Sequence, residues 1–211
     1  MRIIAFPFLI IAFLTIAVPR SYAAVDTYTW ELRKNSHRGQ AYDAETWDAK
    51  VIWFATFFSD DFRRSFDKKH AKINHMGPLE SAKWFEEEQY RQGKQWEFFV
   101  SFYTKKDYKK FSLDPDSFWK IFMTTGQGEV VHPIAVEQIS ITPYEKIMFH
   151  HINRWSKAYR VIFPKVEIGN LIQLTLQSIV GQSNLVWNLS HPSSEAQITK
   201  QTEGTKRRAK D

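Results

Sequence analysis

Hydrophobic and polar positions change rhythm twice along the chain. From Trp47 to Phe58 the apolar residues Trp47, Val51, Phe54, Ala55 and Phe58 recur at intervals of three and four, which predicts an amphipathic helix over 44–57. Ser59, followed by Asp60 and Asp61, predicts the cap of a second helix over 60–74, because a serine oxygen takes a free backbone N–H and acids suit the positive helix end. Phe62, Phe66 and Ile73 lie on one side of that helix, with Arg63, Arg64, Lys68 and Lys69 largely on the other. Met76-Gly77-Pro78 ends it and opens a third, with Pro78 in the first turn and Gly93 as the expected C-cap. Before these helices the pattern is weak: Tyr28, Trp30 and Leu32 alternate like a short strand within 25–40.

At Trp96 the period becomes two. WEFFVSFY, 96–103, directs Phe98, Val100 and Phe102 to one side and Glu97, Phe99, Ser101 and Tyr103 to the other. Aromatic bulk on both sides predicts a central strand, with a sheet partner on one face and the helices on the other. Strand-like runs follow at 117–124, at 130–141 (one strand or two, divided near Pro133), and at 157–163, 170–178 and 184–189. Gly126-Gln127-Gly128 predicts a hairpin, Asp114-Pro115-Asp116 a turn, and 143–155 an irregular loop. The expected fold is α+β: N-terminal helices packed on an antiparallel immunoglobulin-like β-sandwich of six to seven strands. The expected divisions are a signal peptide at 1–23, a helical region at 24–93, a sandwich at 94–190 and a disordered basic tail at 191–211.

The first 23 residues supply the compartment. Arg2 precedes an apolar run from Ile3 to Val18, and small residues at Ser21 and Ala23 mark a cleavage site. The run is broken by Pro7 and falls short of the roughly twenty residues a spanning helix needs, so cleavage is expected rather than retention as an anchor. The 211 residues contain no cysteine, which excludes disulfides, thiolate catalysis, cysteine-based zinc sites and a lipid-acceptor thiol. Export without cysteine fits a bacterial periplasmic or secreted protein.

Formal charge is +6, falling to +4 once Arg2 and Arg20 leave with the signal. Five basic residues against Glu195, Glu203 and Asp211 give the tail +2, which leaves the body, 24–190, at about +2 as well. No concentrated basic face for nucleic acid is implied, and the tail is left with a weak attraction to anionic surfaces.

ATFFSDDFRRSFDKKHAKI at 55–73, WEFFVSFYTKKD at 96–107, LDPDSFWKIFM at 113–123, KAYRVIFP at 157–164 and LVWNL at 185–189 together resemble a group of uncharacterised bacterial exported proteins. Many of these are lipoproteins with a helical N-terminal part and a β-sandwich behind it. The resemblance implies a fold and a compartment, and brings no catalytic residues with it. The missing lipid-acceptor cysteine departs from the group's pattern.

No motif announces chemistry. His70 and His75 are five apart, no HExxH or GxSxG occurs, and Gly126-Gln127-Gly128 lacks the lysine and following helix of a phosphate loop. Asp60-Asp61, Glu86-Glu87-Glu88 and Asp114/Asp116 read more economically as a cap, a solvated helix face and a turn. No metal or cofactor is expected. Candidate binding residues are the loop aromatics and histidines Trp119, Tyr144, His150, His151, Trp155 and Tyr159, whose rings can stack on a glycan or on another envelope protein if exposed. The expected function is a non-enzymatic binding or assembly module. The alternatives are a hydrolase acting on envelope polysaccharide or peptide and a carrier of a small apolar ligand.

Overall fold

A computed structural model describes residues 26–42, 49–104, 112–113, 117–179 and 181–189. The expected signal peptide, the Asp114-Pro115-Asp116 turn and the basic tail lie outside the described residues. In chain order the elements are α1 Thr27–Asn35, β1 Ser36–Tyr42, β2 Ala49–Phe57, α2 Asp60–Ile73, α3 Pro78–Lys94, β3 Gln95–Thr104, β4 Lys120–Thr125, β5 Val130–Val131, β6 Ala135–Ile139, α4 Pro143–Met148, β7 Lys157–Pro164, β8 Leu171–Ser178 and β9 Gly181–Asn188. The strands form two antiparallel sheets, one ordered β1-β2-β3-β7-β6 and the other β5-β4-β8-β9. The class is α+β.

Trp96–Tyr103 sits within β3, at the centre of the five-stranded sheet between β2 and β7. Phe98 and Val100 are fully buried, as their two-sided strand requires. Phe98, Val100 and Phe102 join Trp53, Tyr159, Phe163, Met123, Leu174 and Trp187 in a core enclosed by both sheets. Phe99 faces the other way, into a second cluster with Tyr28 and Leu32 of α1, Phe62 of α2, and Met148 and Phe149 at the end of α4. Helices thus cover one face of the five-stranded sheet, while the four-stranded sheet covers the other. In β8, inward Ile172, Leu174 and Leu176 are buried while outward Leu171 and Gln177 are exposed, the alternation of a strand with one solvated face.

Three expectations are corrected. The helix expected over 44–57 is strand β2 from Ala49 onward. Val51, Trp53, Ala55 and Phe57 are buried in the core while Ile52 and Phe54 are partly covered, so apolar residues occupy both faces and mask the period of two. Pairing with β3 then decides the conformation of this β-branched and aromatic run. Conversely, the short strand expected around Tyr28–Leu32 is helix α1, whose buried residues Tyr28, Glu31, Leu32 and Asn35 are spaced three, four and seven apart from the first. Within the expected loop at 143–155, α4 is set by a capping box in which Thr142 and Glu145 serve each other's backbone N–H groups, with Pro143 in its first turn.

Elsewhere the local signals hold. Ser59 caps α2, its oxygen accepting from the Phe62 N–H, and Pro78 opens α3, which runs one residue past the expected Gly93 cap. Pro133 divides 130–141, sending β5 to one sheet and β6 to the other. Gly128 has φ of +85° in the β4–β5 turn, a conformation open to glycine. The sheets also meet where β1 passes β9. A Cβ on Gly39 would lie 2.3 Å from Trp53 Nε1 and 2.7 Å from Ser183 Oγ, so glycine permits the close approach there.

Candidate functional site

At one end of the two packed sheets, where β1 and β3 begin and β2 and β9 end, lies a pocket of about 440 Å³. Chain order explains its walls. α1 runs straight into β1, and the Trp187 indole N–H of β9 donates to the Asn35 carbonyl at that corner, 2.8 Å away. His37 stands edge-on to Trp187 with ring centres 4.8 Å apart. Phe57, the last residue of β2, lies 6.4 Å from Trp187 and 5.8 Å from Trp96, the second residue of β3. The Trp96 indole N–H donates to Val166 O at 2.9 Å, so both tryptophans have their polar edges fixed on backbone. Ile168 and Leu189 complete an apolar floor.

The rim is polar. Ser59, Asp60 and Asp61 begin α2 there, opposite Lys34 at the end of α1 and Asn188 at the end of β9. Lys34 Nζ lies 3.8 Å from Asp61 Oδ2, an ion pair looser than a hydrogen bond. Asp61 also pairs with Arg64, and Gln92 donates to Asp60. Lys165 Nζ rests 3.1 Å from the centre of the Trp96 ring. Burial lowers the pKa of that ammonium, opposed by Asp60, and burial alone lowers that of His37.

A second polar constellation lies between α2, α3 and β3. Arg63 donates to Glu88 and to Glu97, each at 2.9 Å, and Arg160 Nε donates to the other Glu97 oxygen at 2.8 Å. Arg63, Glu88 and Glu97 are each at most 5% exposed. Asp67 accepts from the Trp84 indole at 3.3 Å, and burial pushes its carboxyl up to about 6 against the pull of Trp84, Arg63 and Arg91. The His70 ring stacks on Trp84 at 4.2 Å and is hydrogen-bonded to Tyr144, whose hydroxyl burial raises to about 12. The oxygens of Glu88 and Glu97 are committed to arginines, which makes this arrangement a clamp joining helices to sheet.

The six residues singled out from sequence do not meet in one place. Trp119, in the loop just before β4 and 2% exposed, and Tyr159, within β7 and fully buried, belong to the core between the sheets, so neither ring is open to a ligand. Tyr144 is half-buried on α4, His150 is exposed, and Trp155 is 60% exposed with the Arg154 guanidinium 4.0 Å from its ring centre. His151 stacks on Phe54 at 4.9 Å, and burial lowers its imidazole to about 4, with His150 adding to the effect. Among the described residues no group of three or more His, Cys, Asp or Glu can hold a metal ion, and no helix is long and apolar enough to cross a membrane.

His37, Phe57, Trp96 and Trp187 carry no signal of a shared site in the sequence: His37 falls in a polar stretch, Phe57 in the expected helix, and Trp96 and Trp187 in strand runs that read as core. Phe57, Trp96 and Trp187 all fall within one residue of a strand end, but only Trp96 is half-buried, Phe57 and Trp187 being 1% and 3% exposed. Comparison with known proteins yields no match to any family model, curated protein or solved structure.

Proposed function

We propose that the chain is an exported bacterial envelope protein acting as a non-enzymatic binding module, with the mouth pocket as its ligand seat. The observation that carries this reading is the pocket itself: an apolar floor with a few convergent polar groups, at the open end of a β-structure, is the usual form of a small-molecule site. The 1–23 segment, with its basic start, apolar run and small-residue cut, supports export. Commitment of Glu88 and Glu97 to arginines favours binding over hydrolysis.

We further read the sandwich as immunoglobulin-like. In support, β2-β3-β7-β6 against β5-β4-β8-β9 reproduces the order ABED against C′CFG, with β1 added at one edge and α2–α3 inserted between the first two strands. Carriage of a small apolar ligand is a second reading, favoured by Phe57, Ile168 and Leu189 in the floor.

Isotope-labelled protein titrated with a fragment library should show its largest NMR shifts at His37 and at the Trp96 and Trp187 indoles. Shifts confined to other surfaces would overturn the assignment. Mass spectrometry of the chain recovered from bacteria should find a mature N-terminus near Ala24 in the periplasmic or secreted fraction; an intact N-terminus in the cytosol would refute export.

A further inference from the structure

We propose that the mouth pocket takes a neutral saccharide, laying the C–H face of a pyranose on the apolar floor and pairing its hydroxyls with the rim. This rests on the pocket being the ligand seat, and three observations narrow the ligand class.

The rim sets acceptors beside donors. Asp60 and Asp61 accept and Lys34 donates. At 3.8 Å the Lys34–Asp61 pair leaves hydrogen-bonding capacity on both partners, and a hydroxyl, donor and acceptor at once, can donate to the carboxylate while accepting from the ammonium. A charged ligand meets repulsion from part of this rim: an anion faces Asp60 and Asp61, a cation faces Lys34.

The floor offers surface without donors. The Trp96 indole N–H is spent on the Val166 carbonyl, so this half-buried ring presents carbon to the pocket beside Val186 and Leu189, while Trp187 and Phe57, 3% and 1% exposed, lie beneath that surface. That suits the C–H face of a sugar. A wholly apolar ligand would cover the charged rim without pairing it, a costly burial. The volume, about 440 Å³, lies in the range of small-ligand sites and has room for roughly one or two sugar rings.

The test titrates the purified chain by NMR with methyl glucoside, N-acetylglucosamine and its β-linked dimer, alongside leucine, choline and decanoate as zwitterionic, cationic and apolar controls. The expected result is saturable shifts of His37 and of the Trp96 and Trp187 indoles with at least one saccharide and none with the controls. Asp60→Ala and Lys34→Met, both on the exposed rim, should each weaken that saccharide by about tenfold, the worth of one hydrogen bond to a charged group, with melting temperature little changed. Binding of leucine, choline or decanoate at these signals without any saccharide overturns the saccharide assignment and leaves the pocket as the ligand seat. No shift at these signals with any of the six probes overturns both. Saccharide affinity unchanged in both variants also overturns the proposed pairing.

Discussion

The two faces of β3 belong to one strand, yet they are stabilised by different physics. Inward, Phe98, Val100 and Phe102 meet rings and aliphatic chains: Phe163 edge-on at 5.7 Å, Trp187 at 5.3 Å and Tyr159 stacked on Phe102 at 5.4 Å. Outward, Phe99 stacks on Phe149 at 3.7 Å, but its neighbour Glu97 is buried and held by Arg63 and Arg160, while Ser101 is buried as well. The inner face is governed by volume and shape, because among the described residues its core cluster holds no charged side chain. The outer face binds helices through mixed contacts, so its stability depends on every charge keeping its partner.

That contrast is broken most sharply at Arg63. Arg63→Met keeps much of the volume but removes the cation shared by one oxygen of Glu88 and one of Glu97, leaving Arg91 and Arg160 on the other oxygens, and chemical denaturation should show a loss of about 3–5 kcal/mol. Phe98→Ala should cost a similar ~3–5 kcal/mol through the cavity it opens, whereas Phe98→Leu should lose much less. If Arg63→Met proves as mild as Phe98→Leu, the outer face is held by packing after all.

Next in size is the seam where the sheets meet. Gly39→Ala drives a methyl into the fully buried Trp53 indole, and a destabilisation of about 1–3 kcal/mol is expected in thermal melts.

Protonation sharpens the comparison, since the outer face carries groups that titrate between about pH 4 and 7. Folded Asp67 keeps its proton to about pH 6, against 3.8 ordinarily, so it favours the folded state as pH falls from 6 to 4 and that support is lost as pH rises through 6. His151 acts in the opposite sense: its folded imidazole stays neutral down to about 4 rather than 6.5, so its contribution is complete above 6.5 and is lost as pH falls toward 4. Asp67→Asn should therefore stabilise at pH 7 and not at pH 4, while His151→Phe should stabilise at pH 4 and not at pH 7, each by on the order of 1–3 kcal/mol. Denaturation series at both pH values will show whether these opposed slopes exist. The smallest expected effect is Ser59→Ala, about 1 kcal/mol from loss of the α2 cap, measured the same way.

Much of this organisation was legible in the chain. The two-sided apolarity of 96–103 places β3 at the centre, Ser59-Asp60-Asp61 starts α2, Gly77-Pro78 separates α2 from α3, and the alternation in 171–178 marks a strand with one wet face. These are local matters of period, cap and backbone freedom. The β2 stretch reads as helix because burial on both faces erases the period on which a helix and a strand differ, and α1 reads as strand because its buried Glu31 and Asn35 break the apolar stripe that would declare a helix. The clamp and the mouth were hidden for a related reason. Arg63, Glu88 and Glu97 look like solvated charges until α2, α3 and β3 are brought together.

The sequence by itself determined the element boundaries set by Ser59, Pro78, Gly128 and Pro133, the central strand, and the absence of cysteine chemistry. Only the tertiary structure decided that 49–57 pairs as a strand, which charges are buried in pairs, and that Phe57, Trp96 and Trp187, up to 130 residues apart, gather at one end of the sandwich. The division follows from the range of the forces. Caps and turns are settled within a few residues of chain, while strand pairing, ion pairing and pocket shape depend on groups that meet only when the sheets close.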